Sequence, residues 1–153
     1  MISVSSGSSV NYVSANFIAK EKCIELSTKA LTNSSGYKNK VTIKITTSKG
    51  VKNISGTVFG EDVQRVVDLD GFKIDVDPKG KMIIMKNKDI PGVVGKAGNI
   101  LGENGINISD FRLSRGKEGT ALAVILIDEK ANSKVISELD NLEASIAVAY
   151  AEI

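Results

Sequence analysis

Four segments in the first half of the chain alternate apolar and polar residues, as half-buried β-strands do. In the clearest of them, every second position from 41 to 45 is valine or isoleucine. The pattern predicts strands at Val41–Thr47, Val51–Phe59, Gln64–Leu69 and Phe72–Val76. The last two strands are joined by Asp70-Gly71, a residue pair that fits a two-residue hairpin turn. The first half is therefore predicted to be rich in strands.

Two more elements are predicted before these strands. Residues 11–22 carry apolar side chains at helical spacing and predict a helix, and Cys23–Thr28 alternates like a strand. Residues 1–9 are mostly small, without periodicity, and predict a flexible leader. Asn33–Gly36 is rich in loop-forming residues.

The pattern changes after a turn at Asp77–Gly80, where we place a domain boundary. The segments that follow alternate between strand and helix periodicity, in the order strand, helix, strand, strand, helix, strand. They are Met82–Met85, Pro91–Glu103, Ile106–Ser114, Thr120–Ile127, Asn132–Leu139 and Ala144–Tyr150. This order predicts a ferredoxin-like βαββαβ unit with both helices on one face of a four-stranded antiparallel sheet. The fold class is α+β, and the other face of the sheet has to be covered or solvated.

Composition excludes several classes of function. The net charge of +2 gives no electrostatic basis for binding nucleic acid or an anionic membrane. No apolar run approaches the roughly 20 residues that span a bilayer, and the N-terminus does not resemble a signal peptide. We therefore expect a cytoplasmic protein. Cys23 is the only cysteine, which leaves no internal disulfide, and we expect it to be buried.

The chain has no histidine and no tryptophan. Histidine is the commonest general acid or base and a usual zinc ligand, so its absence argues against a catalytic or metal centre. No carboxylate pair at a suitable spacing compensates for it, and the glycines at 92–102 do not match a dinucleotide fingerprint. We predict no catalytic residue, no metal site and no cofactor in this chain.

One stretch, Asn87–Gly95, combines groups that could bind a free amino acid. It runs from a predicted strand into a predicted helix, where free backbone amides attract a carboxylate. Gly92 lets a ligand approach the backbone, and Asp89 could accept hydrogen bonds from an ammonium group. Asn107 opens the next strand, which we expect to lie beside the first. An alternative interpretation is an ordinary helix start capped by Asp89. It explains the same residues, and the sequence does not decide between the two.

A second candidate site consists of two cations on paired strands. Arg65 and Lys73 could together hold a phosphate or carboxylate. The alternative is a solvated cationic edge balanced by Asp68 and Asp75.

Several motifs carry a family resemblance. The run KDIPGVVG at 88–95, followed by GINI at 105–108, resembles the signature of ACT domains. Upstream, VNYVSA at 10–15, GTVFG at 56–60, RVV at 65–67 and DGFKIDV at 70–76 resemble the segment that precedes the ACT domain in long D-3-phosphoglycerate dehydrogenases. Together they resemble the C-terminal regulatory region of that family.

The resemblance implies two regulatory domains. Residues 10–78 would be a partial allosteric substrate-binding (intervening) domain, truncated at its first strand and helix, and 79–153 an ACT domain. The ACT domain of this family binds L-serine, for feedback control of serine biosynthesis, between two subunits of a homodimer or larger homo-oligomer. The nicotinamide cofactor NAD belongs to the family's catalytic part, which this chain lacks.

The resemblance also assigns residues. L-serine, or a related amino acid, would be held by side chains and by backbone, namely Asn87, Asp89 and Asn107, and the backbone around Gly92, Val93 and Ile108. Arg65 matches a basic position of the anion site in the intervening domain, and Lys73 lies near it.

Two other interpretations stay open. The same modules occur in the regulatory region of iron–sulfur L-serine dehydratases, and an ACT-type sensor could also stand alone. An enzyme with a lysine or carboxylate centre is the remaining class, and no pair of residues supports it.

Overall fold

The computed structural model describes residues 11, 13–30, 36–48 and 50–153. The chain forms two compact units, Met1–Ser35 and Gly36–Ile153. The predicted leader at 1–9 and most of the loop predicted at 33–36 lie outside the described residues. No helix in the described ranges is long and apolar enough to cross a bilayer.

The described part of the first unit contains one helix, α1 (Ala15–Glu21). The side chain of Asn11 accepts hydrogen bonds from the amides of Val13 and Ser14, both at 2.9 Å, and this turn leads into the helix. The helix predicted at 11–22 is therefore confirmed, with a later start.

The strand predicted at Cys23–Thr28 is wrong. Cys23 takes a left-handed backbone conformation (φ 54°) in the turn that ends α1, where its amide donates to the carbonyl of Lys20. Residues 24–30 follow without regular structure. Cys23 is also exposed, contrary to the expectation that it would be buried.

The second unit begins with a four-stranded antiparallel meander in the order β1-β2-β3-β4. All four strands were predicted to within one residue at each end: they are β1 (Val41–Thr47), β2 (Gly50–Phe59), β3 (Val63–Leu69) and β4 (Phe72–Val76). Asp70 and Gly71 both have positive φ, as the predicted hairpin turn between β3 and β4 requires.

A second sheet follows, built from a βαββαβ unit. Its elements are β5 (Lys81–Lys88), α2 (Val93–Glu103), β6 (Ile108–Arg115), β7 (Thr120–Ile127), α3 (Ser133–Asp140) and β8 (Ser145–Glu152). The strand order is β6-β7-β5-β8, and all neighbours are antiparallel. The predicted α+β class and ferredoxin-like arrangement are confirmed.

Both faces of the second sheet are buried in the middle. On one face, Ile83 and Ile125 pack with Leu101 of α2 and Leu139 of α3. On the other face, apolar residues of β5 and β7 pack with the first sheet, which contributes Phe72, Ile74 and Val76 of β4. The face that the sequence left open is therefore covered by the first sheet.

One contact between the two sheets is tight enough to test by substitution. A Cβ added to Gly116 would overlap the ring of Phe72 and lie 2.9 Å from Thr120 Oγ1. Gly116→Ala should therefore lower the free energy of unfolding by about 1–3 kcal/mol, because neither the buried ring nor the turn can move freely. Urea denaturation followed by circular dichroism measures the change.

The matched control is Gly98→Ala, inside α2. A Cβ there meets nothing within 4 Å, so alanine should raise the free energy of unfolding by about 0.5–1 kcal/mol. If the two variants have equal stability, the contact between Gly116 and Phe72 does not constrain the packing of the sheets.

Candidate functional site

The end of β5 leads into α2 through a tight turn that leaves backbone amides available. Gly92 is the N-cap of α2, with φ 87°, and no side chain among the described residues caps the helix. In the described part of the chain, no acceptor with good hydrogen-bond geometry is found for the amides of Val93, Val94 and Gly95. Nothing lies within 4 Å of where a Cβ of Gly92 would be, so the approach to these amides is open.

Asn87 lies next to this turn and is only 4% exposed. Its Nδ2 donates to the carbonyl of Lys88 at 2.7 Å. Ser145 of β8 is opposite Asn87, and its Oγ is buried without a hydrogen-bond partner in the described residues. Directly opposite residues point to the same face of a sheet. Asn87 and Ser145 therefore form a polar pair at the end of an otherwise apolar face.

Asp89 does not cap α2, contrary to the alternative interpretation of this segment. Its carboxylate instead lies 3.1 Å from Nε of Arg115, the last residue of β6. The side chain of Asp89 is 27% exposed and that of Arg115 is 76% exposed. An acidic and a basic group therefore stand together, and Asp89 precedes the N-cap of α2 by three residues. We call Asn87, Asp89, Gly92 and Val93 the turn half of the predicted site.

Asn107 and Ile108, which we call the strand half, lie at the opposite end of the same sheet. Ile108 pairs with Ile127 at the end of β7, whereas Lys88 pairs with Thr120 at its beginning. Seven residues of extended strand separate these ends by about 23 Å. The expectation that the strand after Asn107 would lie beside the first strand is also wrong, because β7 lies between β5 and β6.

Asn107 is held by two acidic residues that follow β7. Its Nδ2 donates to the carboxylate of Asp128 at 2.6 Å, and its backbone amide donates to that of Glu129 at 2.7 Å. No hydrogen bond to its side-chain oxygen is found within the described ranges. That oxygen remains available as an acceptor.

Arg65 and Lys73 each form ion pairs with different acidic residues. Lys73 Nζ lies 2.9 Å from Asp68, whose hydrogen bond and negative charge raise the pKa of the lysine. Arg65 lies 3.3 Å from Asp75 and 3.6 Å from Asp77. These pairs match the alternative of a balanced cationic edge.

Arg65 also borders a shallow cavity of about 230 Å³, lined by Thr57, Gln64 and Pro78 among others. A basic group beside a cavity is compatible with an anion site. The anion site at Arg65 stays a prediction.

Within the described residues, groups suited to metal binding are not brought together. No cluster of three or more cysteine, aspartate or glutamate side chains with metal-binding geometry occurs in the part of the chain that the structure describes.

Comparison with known protein families gives two matches. Residues 1–70 match the D-3-phosphoglycerate dehydrogenase intervening domain, and residues 81–144 match the ACT domain. D-3-phosphoglycerate dehydrogenase of Bacillus subtilis is 34% identical over 142 residues, which are 92% of this chain and 27% of that protein. This chain is related to the C-terminal region of D-3-phosphoglycerate dehydrogenases.

More distant relatives have the same name and a similar extent of match. The D-3-phosphoglycerate dehydrogenase of Archaeoglobus fulgidus is 28% identical over 94% of this chain and 28% of its own length. The D-3-phosphoglycerate dehydrogenase 2, chloroplastic, of Arabidopsis thaliana is 28% identical over 91% of this chain and 24% of its own length. The chain thus spans about a quarter of the relatives that it matches.

Two residues of this region were missed by the sequence analysis. Arg115 lies 26 positions after Asp89, and Ser145 lies 58 positions after Asn87. No local spacing marks either pair, because both depend on the strand order. The GINI motif was a usable signal for Asn107, since it places that residue directly before β6.

The ion pair between Asp89 and Arg115 should contribute little to stability. Asp89→Asn removes one charge from a pair in which the arginine is largely exposed, so the free energy of unfolding should change by less than about 1 kcal/mol. Urea denaturation in low and high salt measures the change. A loss above about 2 kcal/mol would contradict this and would make Asp89 a structural residue of the helix start.

Proposed function

We propose that this chain is the regulatory region of a cytoplasmic, NAD-dependent D-3-phosphoglycerate dehydrogenase, and that its ACT domain binds L-serine between two subunits for feedback control. The match to an ACT domain and the names of the relatives support a regulatory role. The observation that carries the proposal of a shared site is the separation of the turn half from the strand half. Two groups of residues about 23 Å apart cannot hold one small amino acid in a single chain.

The turn half has the chemistry for one end of an amino acid. The free amides at the start of α2 suit a carboxylate, since unsatisfied N–H groups and the helix dipole both favour negative charge. The carboxylate of Asp89 suits an ammonium group. The side-chain oxygen of Asn107, from the strand half, would add a second acceptor for that group.

The sheet topology supports one way of joining the two halves. β6 is an edge strand, and an antiparallel pairing of two β6 strands about a two-fold axis reverses the direction of the second copy. The beginning of the partner's β6, with Asn107, then lies beside the end of the first β6. The end of the first β6 and the turn half lie at the same end of the sheet, because Arg115, the last residue of β6, contacts Asp89.

The other edge strand does not bring the halves together. Pairing through β6 places the partner's β6 three strands away from β5, or about 14 Å, whereas pairing through β8 would place it five strands away, or about 24 Å. The proposal is therefore specific to the β6 edge.

The alternatives have less support. The match of residues 1–70 to the intervening domain of D-3-phosphoglycerate dehydrogenase favours that family over the iron–sulfur L-serine dehydratase. That match also disfavours a stand-alone ACT sensor.

Mixing two variants tests whether the site is shared. We expect that Asp89→Ala and Asn107→Ala each lower the affinity for L-serine at least about tenfold when measured alone by calorimetry, since each removes a hydrogen bond to a charged group. In a mixed dimer, one of the two sites combines the intact Asp89 of one subunit with the intact Asn107 of the other. Co-expressed and co-purified mixed dimers should therefore bind L-serine with the original affinity at half the original stoichiometry.

Two results would contradict the proposal. If the original chain, dimeric by analytical ultracentrifugation, gives no heat with millimolar L-serine, the sensor function is wrong. If the chain binds L-serine but mixed dimers recover no site, then the site lies within one chain. D-serine serves as the ligand control, because with both charged groups fixed its hydroxymethyl group takes the position of the hydrogen of L-serine, which a site that also contacts the side chain distinguishes.

A further inference from the structure

Asp89 of the turn half and Arg115 form an ion pair, with opposite charges 3.1 Å apart. A free amino acid also carries opposite charges, separated by one carbon atom. The family resemblance implies that Asp89 holds the amino acid, and its carboxylate suits the ammonium group, whereas Arg115 has no assigned role. Its position suits the group at the other end of the ligand.

We propose that Arg115 is an effector-binding residue that takes the carboxylate of the amino acid, while Asp89 takes its ammonium group. This rests on the proposed function. The ligand inserts between the two side chains, so that one ion pair is exchanged for two. The guanidinium and the amides of α2 then face the same carboxylate, which neutralises the ligand without leaving any charge unpaired.

Separating Asp89 from Arg115 costs little free energy, because this ion pair is exposed. Exposed ion pairs contribute little to stability, and Arg115 has three-quarters of its side chain in solvent. The Nε atom of Arg115 lies 3.1 Å from the carboxylate of Asp89. The planar guanidinium keeps further donors that match a carboxylate in two parallel hydrogen bonds.

The position of Arg115 in the sheet also fits. It pairs with Ala121, whose side chain points to the same face as Ala123 and Ile125 and therefore to the face covered by the helices. Asn87 shares that face, since it continues the alternation of Ile83 and Met85. Arg115 is thus on the side of the sheet where α2 begins.

Arg112 provides a matched control on the same strand. It is exposed and forms an ion pair with Asp110 at 2.8 Å. It pairs with Val124, whose side chain points to the opposite face, toward the first sheet. Removing the charge of Arg112 therefore changes the net charge of β6 by the same amount as removing that of Arg115, but on the face away from the turn half.

The test compares two ligands, L-serine and L-serinamide, which lacks the carboxylate charge. Calorimetry on the dimeric chain should show that the original protein binds L-serine at least about tenfold more tightly than L-serinamide. Arg115→Gln should lower the affinity for L-serine about tenfold and leave that for L-serinamide unchanged or higher. The ratio of the two affinities should therefore fall toward one. Arg115→Lys should give an intermediate ratio, and Arg112→Gln should give the original one.

The outcomes separate this proposal from the proposed function. If the original chain binds L-serine and Arg115→Gln keeps the original ratio, the assignment of Arg115 is wrong while the sensor function stands. If Arg115→Gln weakens the dimer in analytical ultracentrifugation but keeps that ratio, Arg115 acts at the subunit contact only, which also overturns the assignment. If the original chain binds neither ligand, both proposals fail.

Discussion

Burial on both faces of the second sheet is the constraint on which the rest of the structure depends. β7 is buried along nearly all of its length, and β5 is buried or half-buried at seven of eight positions. Each fully buried aliphatic side chain contributes roughly 1.5–3 kcal/mol, so neither the helices nor the first sheet can lift away to admit a ligand. Polar groups are therefore concentrated where strands end. The turn half and the strand half are such ends, and the distance between them is set by the length of a strand.

Local signals in the sequence predicted the elements well because each element carries its own pattern. The four strands of the first sheet and the hairpin at Asp70-Gly71 depend on alternation and on a two-residue turn. Alternation alone was not sufficient at Cys23–Thr28. A strand needs a neighbour for its backbone groups, and the turn that ends α1 directs the chain into a segment with no strand pairing among the described residues.

The candidate site was predictable only in part, for the same reason. The turn at Gly92 is local, and its free amides follow from a glycine before a helix without a capping side chain. The position of Asn107 depends on strand order, which no local pattern records. β5 and β6 are both antiparallel to β7 and therefore run in the same direction, so the end of β5 and the beginning of β6, where Asn107 stands, lie at opposite ends of the sheet. The ion pair between Asp89 and Arg115 has the same origin, since it joins the ends of two strands that are not adjacent.

A site divided between two subunits joins ligand binding to subunit association. By linkage, a ligand that needs both halves stabilises the paired state, and pairing raises the affinity for the ligand by the same factor. The end of the sheet that holds the turn half also contacts the first sheet, because Gly116, next to Arg115, packs against the ring of Phe72. Transmission of a signal from one site to another requires a structural element that has two arrangements. Events at either site must shift the equilibrium between these arrangements. The contact between Gly116 and Phe72 is a point where the proposed site and the first sheet meet, and its close packing means that a shift at the end of β6 has to be accommodated by β4.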